Sequence, residues 1–135
     1  MPNPNLSNIS SILGNTGYVI PSSAATATTS WTFNGTTTLT GLTPAANSVN
    51  KINTIVVANT TSSAATATIG VGNNATFGSA TVIAYPAYQI SVPPNASLII
   101  VDKTTPLYIT ENQSVAAFSG TASALTFTVS FEVLT

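Results

Sequence analysis

Asp102 and Glu111 are the two side chains from which chemistry could most readily be built, because a short strand between two turns could bring both carboxylates to one edge. Paired carboxylates serve glycoside hydrolysis or bind a hard cation. The plainer reading is preferred: a turn Asp followed by Lys103, Thr104 and Thr105, and a turn Glu that keeps its loop solvated. No third carboxylate stands near enough in sequence to complete a site, although a calcium site using backbone and Asn carbonyls stays open. The other charged residues are Lys51 and Glu132, and there is no Arg, His or Cys. Many hydroxyls are present, but no His could activate one as a nucleophile, and neither Lys sits in a nucleophile motif.

That inventory decides the broad class. Charged residues make up 4% of 135 residues, where a soluble domain usually has about a quarter. The composition argues against an enzyme. With Cys and His both missing, thiolate and imidazole ligation of zinc, copper or haem is excluded, so no cofactor is expected. Two separated Lys cannot supply the electrostatic term of nucleic-acid binding. The apolar runs Ile55–Ala58 and Leu98–Val101 fall far short of a membrane span. Met1-Pro2-Asn3-Pro4-Asn5 lacks the opening of a secretory signal, so the expectation is a protein made and used without secretion. Sequons at Asn34, Asn59 and Asn95 are what an Asn- and Thr-rich chain produces by chance. A net charge of -1 leaves little like-charge repulsion between copies, which favours association with other protein.

The elements carrying these residues are strands. Thr is abundant, the aliphatics lean to Val and Ile, and Pro and Gly punctuate the whole length. Leu125, Phe127, Val129, Phe131 and Val133 alternate with Thr126, Thr128, Ser130 and Glu132, which predicts a strand over 123–134. Strands are also expected over 113–119, 106–110, 95–101, 88–92, 79–85, 65–71 and 52–58. The 95–101 strand reads as buried on both faces, and Pro86 as a break between two strands. Asn34-Gly35 predicts a two-residue hairpin joining 26–33 to 36–42. No sustained helical stripe occurs. Short strands with turns every 8–12 residues or so predict an all-β fold, an antiparallel β-sandwich of jelly-roll-like or immunoglobulin-like form with about 8–10 strands. Residues 16–135 form the single domain, and 1–15 are either its first strand or an arm ordered against a neighbouring subunit.

Aromatic residues on strands are usually core or subunit interface. Trp31, Phe33, Tyr85 and Tyr88, with Leu6, Ile9 and Ile12 of the N-terminal stretch, are therefore the candidate interface residues. The competing use of Trp31, Phe33, Tyr85 and Tyr88 is as a platform for sugar.

From Lys51 onward the order of elements resembles a group of short virion structural proteins of tailed bacteriophages, especially marine ones. The resemblance is carried by Lys51-Ile52-Asn53-Thr54-Ile55-Val56-Val57-Ala58-Asn59, by Ile90-Ser91-Val92-Pro93 and by Ala96-Ser97-Leu98-Ile99-Ile100-Val101-Asp102-Lys103. Pro106-Leu107-Tyr108-Ile109, Glu111-Asn112-Gln113-Ser114-Val115, Val129-Ser130-Phe131-Glu132-Val133 and the opening Pro4-Asn5-Leu6-Ser7-Asn8-Ile9 complete it. It implies no catalytic residues. It implies a virion component present in many copies, assembled in the host cytoplasm. The leading expectation is a capsid decoration (cement) protein, a homotrimer that clamps neighbouring subunits of the major capsid protein. The alternative is a tail-fibre or appendage subunit that binds host-surface glycan.

Overall fold

The structure is a computed structural model that describes residues 9–33 and 35–135. Among the described residues ten strands, all antiparallel, form two sheets packed as a sandwich: β1 (Ile12–Val19), β2 (Ser30–Phe33), β3 (Thr37–Thr40), β4 (Val49–Asn59), β5 (Ala65–Gly72), β6 (Val82–Val92), β7 (Ser97–Val101), β8 (Leu107–Ile109), β9 (Ser114–Ser119) and β10 (Leu125–Leu134). The larger sheet has the order β3-β2-β1-β10-β4-β7, and β8 pairs with β4 beyond the end of β7. The smaller sheet is β6-β5-β9. The described residues contain no α-helix, only a 3-10 turn at Phe77–Ser79. The expected all-β sandwich is thus the observed fold.

The core follows from alternation. Leu125, Phe127, Val129 and Phe131 of β10 and Ile52, Ile55 and Val57 of β4 turn inward and are fully buried or nearly so. Ile52 and Ile55 are three apart, which in an unbroken strand would put them on opposite faces. A register shift between their β10 partners, a β-bulge, keeps both in the core. Ala65, Ala67, Ile69 and Val71 of β5 and Val115 and Ala117 of β9 close the same cluster from the smaller sheet. Small residues there accommodate Trp31, Phe127 and Phe131 from the larger sheet, as close packing requires.

Four expectations are corrected. Residues 26–33 do not form one continuous strand: Thr28 bridges to Ala117 in the smaller sheet, and only 30–33 pair with β3. The chain crosses between sheets here, because the free edge of β9 needs partners. The Thr28 and Ala25 amides donate to Ala117 and Ser119. Val115 is served on the same edge by the Gly41 carbonyl and by the Trp31 indole N–H, which donates to the Val115 carbonyl at 3.1 Å. In the hairpin, Phe33 pairs with Thr37, one residue further along than a two-residue turn would set. β7 is not buried on both faces, since it is an edge strand and Ile99 is 69% exposed. Finally, 79–92 is not two strands parted at Pro86 but one long strand beginning at Val82, because β6 is an edge strand and its proline sits in a bulge.

The 1–15 stretch contributes to the sheet from Ile12 onward. β1 lies between β2 and β10, pairing with β10 along its whole length from Ile12 opposite Leu134 to Val19 opposite Phe127. Leu6 lies outside the described residues.

With few charges available, amides and hydroxyls tie the loops. Asn59 is buried at the end of β4 and uses its whole side chain: Nδ2 donates to the carbonyls of Ser63 and Val92, and Oδ1 accepts from the backbone N–H and hydroxyl of Thr61. The sequon at Asn59 is therefore a structural clasp between the two sheets. Asn59→Ala should lower unfolding free energy by about 2–3 kcal/mol, because the buried Val92 carbonyl and the partly buried hydrogen bonds to Thr61 and Ser63 are lost at once. Urea denaturation of the two proteins measures it.

Candidate functional site

Asp102 and Glu111 are held apart. β7 and β8 run collinearly along one side of β4, with Val101 opposite Ile55 and Ile109 opposite Asn50. Asp102 therefore leaves the ladder near position 54 and Glu111 near position 48, a backbone separation of about 20 Å at the usual strand rise. Glycosidase carboxylates stand within about 10 Å of each other, so these two do not form such a pair. Each serves its own turn. The Asp102 carboxylate accepts the Thr104 hydroxyl and the Thr104 backbone N–H, and Glu111 accepts the Asn47 backbone N–H at 3.2 Å. Among the described residues no group of three His, Cys, Asp or Glu could hold a metal ion.

All five charges belong to the larger sheet or to the loops that follow its strands β7 and β8. Lys51 lies between Glu132 and Tyr108 in one cross-strand row on the outer face of that sheet. The adjoining rows are uncharged. One row runs across six strands: Thr38, Thr32, Tyr18, Thr128, Val56 and Ile99 are successive neighbours on β3, β2, β1, β10, β4 and β7. Thr16, Ser130 and Thr54 form the row beside it. Tyr18 and Ile99 are well exposed, as are Ile12 and Tyr108. This face is a broad sheet of hydroxyls with apolar side chains standing on it. Tyr18, Ile99 and Tyr108 are absent from the interface residues expected from sequence. Their exposure depends on which strands end at an edge or face outward, and pairing order is not written in any one strand.

The aromatic candidates separate. Trp31 is 1% exposed and belongs to the core, so it is no surface residue. Phe33 is half-buried and meets Phe131 edge to face at 6.2 Å. Ile9 is half-buried and Ile12 is exposed. Tyr85 and Tyr88 come together on the outer face of the smaller sheet, with ring centroids 4.9 Å apart and planes at 68°. Residues three apart in a regular strand face opposite ways. Between Ala84 and Ala87, however, β6 advances three residues against two of β5. That extra residue at the Tyr85-Pro86 step brings both tyrosines to one side. A second bulge follows at Gln89, which has φ +47 and whose N–H donates to Thr68 Oγ1.

These bulges frame a depression of about 200 Å³ lined by Tyr85, Tyr88, Gln89, Thr66, Thr68 and Phe118, among others. Beside it, Phe77, Tyr85 and Phe118 converge over Gly70, where an added Cβ would lie 3.3 Å from the Phe77 ring. A second groove, about 300 Å³, opens between β6 and the β7–β8 edge and is lined by Ala84, Tyr85, Pro86, Ile100 and Leu107 with their neighbours. No protein-family model, curated protein or solved structure matches the chain. No helix among the described residues is long and apolar enough to cross a membrane.

The hydrogen bonds from Thr104, its hydroxyl above all, hold the Asp102 carboxyl below the ordinary aspartate value. A depressed folded-state pKa means that the turn's contribution is complete above the ordinary value and is lost as pH falls through the depressed one. An NMR titration of Asp102 should give a midpoint below the ordinary value, and Thr104→Val should move it upward.

Proposed function

We propose that this chain is a virion structural protein, a capsid decoration protein that binds neighbouring subunits of the major capsid protein as a homotrimer. The observation that carries the reading is the outer face of the larger sheet, where an uncharged row from Thr38 to Ile99 crosses six strands. Tyr18, Ile99 and Tyr108 stand exposed on that face. An uncharged face of hydroxyls carrying exposed apolar side chains has little like-charge repulsion to hold other protein away, which suits contact with neighbouring subunits. The resemblance to short phage virion proteins points the same way.

Physical chemistry suits the role. Contacts made by apolar groups and hydroxyls are little affected by salt, whereas exposed ion pairs weaken as the Debye length shrinks. Lys51 and Glu132, opposite each other at one side of the face, leave it without net charge. The second reading, a tail-fibre or appendage subunit that binds host-surface glycan, draws its support from the exposed Tyr85–Tyr88 pair.

Rebinding of purified protein to shells stripped of it tests the first reading. Occupancy should change less than about twofold between ~0.1 M and ~1 M NaCl. Tyr18→Lys combined with Ile99→Lys should lower it at least tenfold while leaving the melting temperature nearly unchanged, since the double change puts unpaired charges into a buried contact. Release by salt, or full occupancy of the double variant, would contradict it.

A further inference from the structure

The geometry points to a binding site for a single neutral pyranose ring in the depression formed by Tyr85, Tyr88, Gln89 and Thr66 on the outer face of the smaller sheet. The inference rests on and deepens the glycan-binding reading of the Tyr85–Tyr88 pair and does not depend on shell attachment, because the site lies on the opposite face of the sandwich from the row that carries the proposed contact.

Charge narrows the ligand class first. None of the lining residues is charged, and strands β5, β6 and β9 contain no Asp, Glu, Lys or Arg. Phosphates, sulfated sugars and sialic acids would be bound without a counter-charge, which is strongly disfavoured. A neutral ligand is the one that fits.

The second argument is the mixture of surfaces. Tyr88 is 60% exposed and Tyr85 49%, and their rings meet edge to face at 68°, leaving aromatic surface of both in solvent. A pyranose ring has an apolar face of C–H groups and a rim of hydroxyls. Aromatic walls match the face, and groups that both donate and accept match the rim. The side-chain amide of Gln89, the Thr66 hydroxyl and the two phenol hydroxyls make no hydrogen bond to other described residues. Together they supply donors and acceptors at the mouth of a depression of about 200 Å³. That is below the size of most drug-binding pockets, about 300 Å³ and up, and matches the scale of one sugar ring.

Preorganisation is the third argument. A regular strand would split the tyrosines between two faces; the bulge at Pro86 unites them. Gln89 is held at φ +47, a disfavoured conformation for a residue with a side chain, and its N–H is fixed by Thr68 Oγ1. Bulges and left-handed residues of this kind re-aim side chains at binding sites.

Saturation-transfer NMR on the full chain tests the assignment, with millimolar glucose, galactose, mannose and N-acetylglucosamine as probes and N-acetylneuraminic acid as the charged comparison. At least one neutral sugar should receive saturation at its ring C–H protons. Tyr88→Ala and Gln89→Ala should each weaken that binding at least tenfold, and Tyr88→Leu, which keeps bulk but removes the π-face, should do the same with an unchanged melting temperature. The Tyr18→Lys, Ile99→Lys double variant should bind the sugar normally, which separates this site from shell attachment. Absence of transfer to every neutral sugar, retention of binding in Tyr88→Leu, or equal binding of N-acetylneuraminic acid would overturn the proposal.

Discussion

The ladder between β4 and β10 is the interaction on which the rest of the molecule depends. Each strand is paired on both sides: β10 by β1 and β4, and β4 by β10 and by β7 and β8 in succession. Their inner faces supply Ile52, Ile55, Val57, Leu125, Phe127, Val129 and Phe131 to the core. Their outer faces supply Thr54, Val56, Thr128 and Ser130 to the uncharged surface. Core and uncharged outer surface are thus two sides of the same strands' alternation. The bulge near Ser130 keeps Ile52 buried while presenting Lys51 to Glu132.

A sandwich has edges, and proteins commonly guard them with charge. This chain has almost none to spend there. The β9 edge is closed by the chain's own crossing segment, through Ala25, Thr28, Gly41 and the Trp31 indole. The β6 edge is disrupted by bulges and by Pro86, and β7 is short. Irregularity replaces charge as the guard, and it has a by-product: the bulge that spoils β6 as a template for strand addition also pairs Tyr85 with Tyr88. In the loops, buried amides and hydroxyls stand where ion pairs would serve in a more polar protein, with Asn59 making four hydrogen bonds to three residues and Asn50 donating to the Leu42 carbonyl at 2.8 Å.

Much of this was legible in the sequence, and the exceptions share a cause. Strands such as β10 and β5 declare themselves, because Leu125, Phe127, Val129 and Phe131 alternate with polar residues, as Ala65, Ala67, Ile69 and Val71 alternate with Thr66, Thr68 and Gly70, and period-two alternation is a local property. β7 reads as doubly buried because Leu98-Ile99-Ile100-Val101 is continuously apolar; only its place at an edge leaves Ile99 in water. β6 reads as two strands because Pro86 ends strands more often than it sits in a bulge. The bulges at Pro86 and Gln89 cannot be seen without the count of β5 residues opposite them. Trp31 joined the interface residues by type, but its indole N–H finds the Val115 carbonyl 84 positions away, a partner that only the fold supplies. Tyr85 and Tyr88 are candidates by residue type alone, and their contact is a product of register.

The central claim is that a neutral β-surface attaches many copies of this chain to a virion shell. Quantitative mass spectrometry of purified particles, combined with a low-resolution particle map locating a labelled copy, tests it most directly. The account predicts hundreds of copies distributed over the shell at positions that contact several capsid subunits. A handful of copies confined to the tail, or none in the particle, would contradict it.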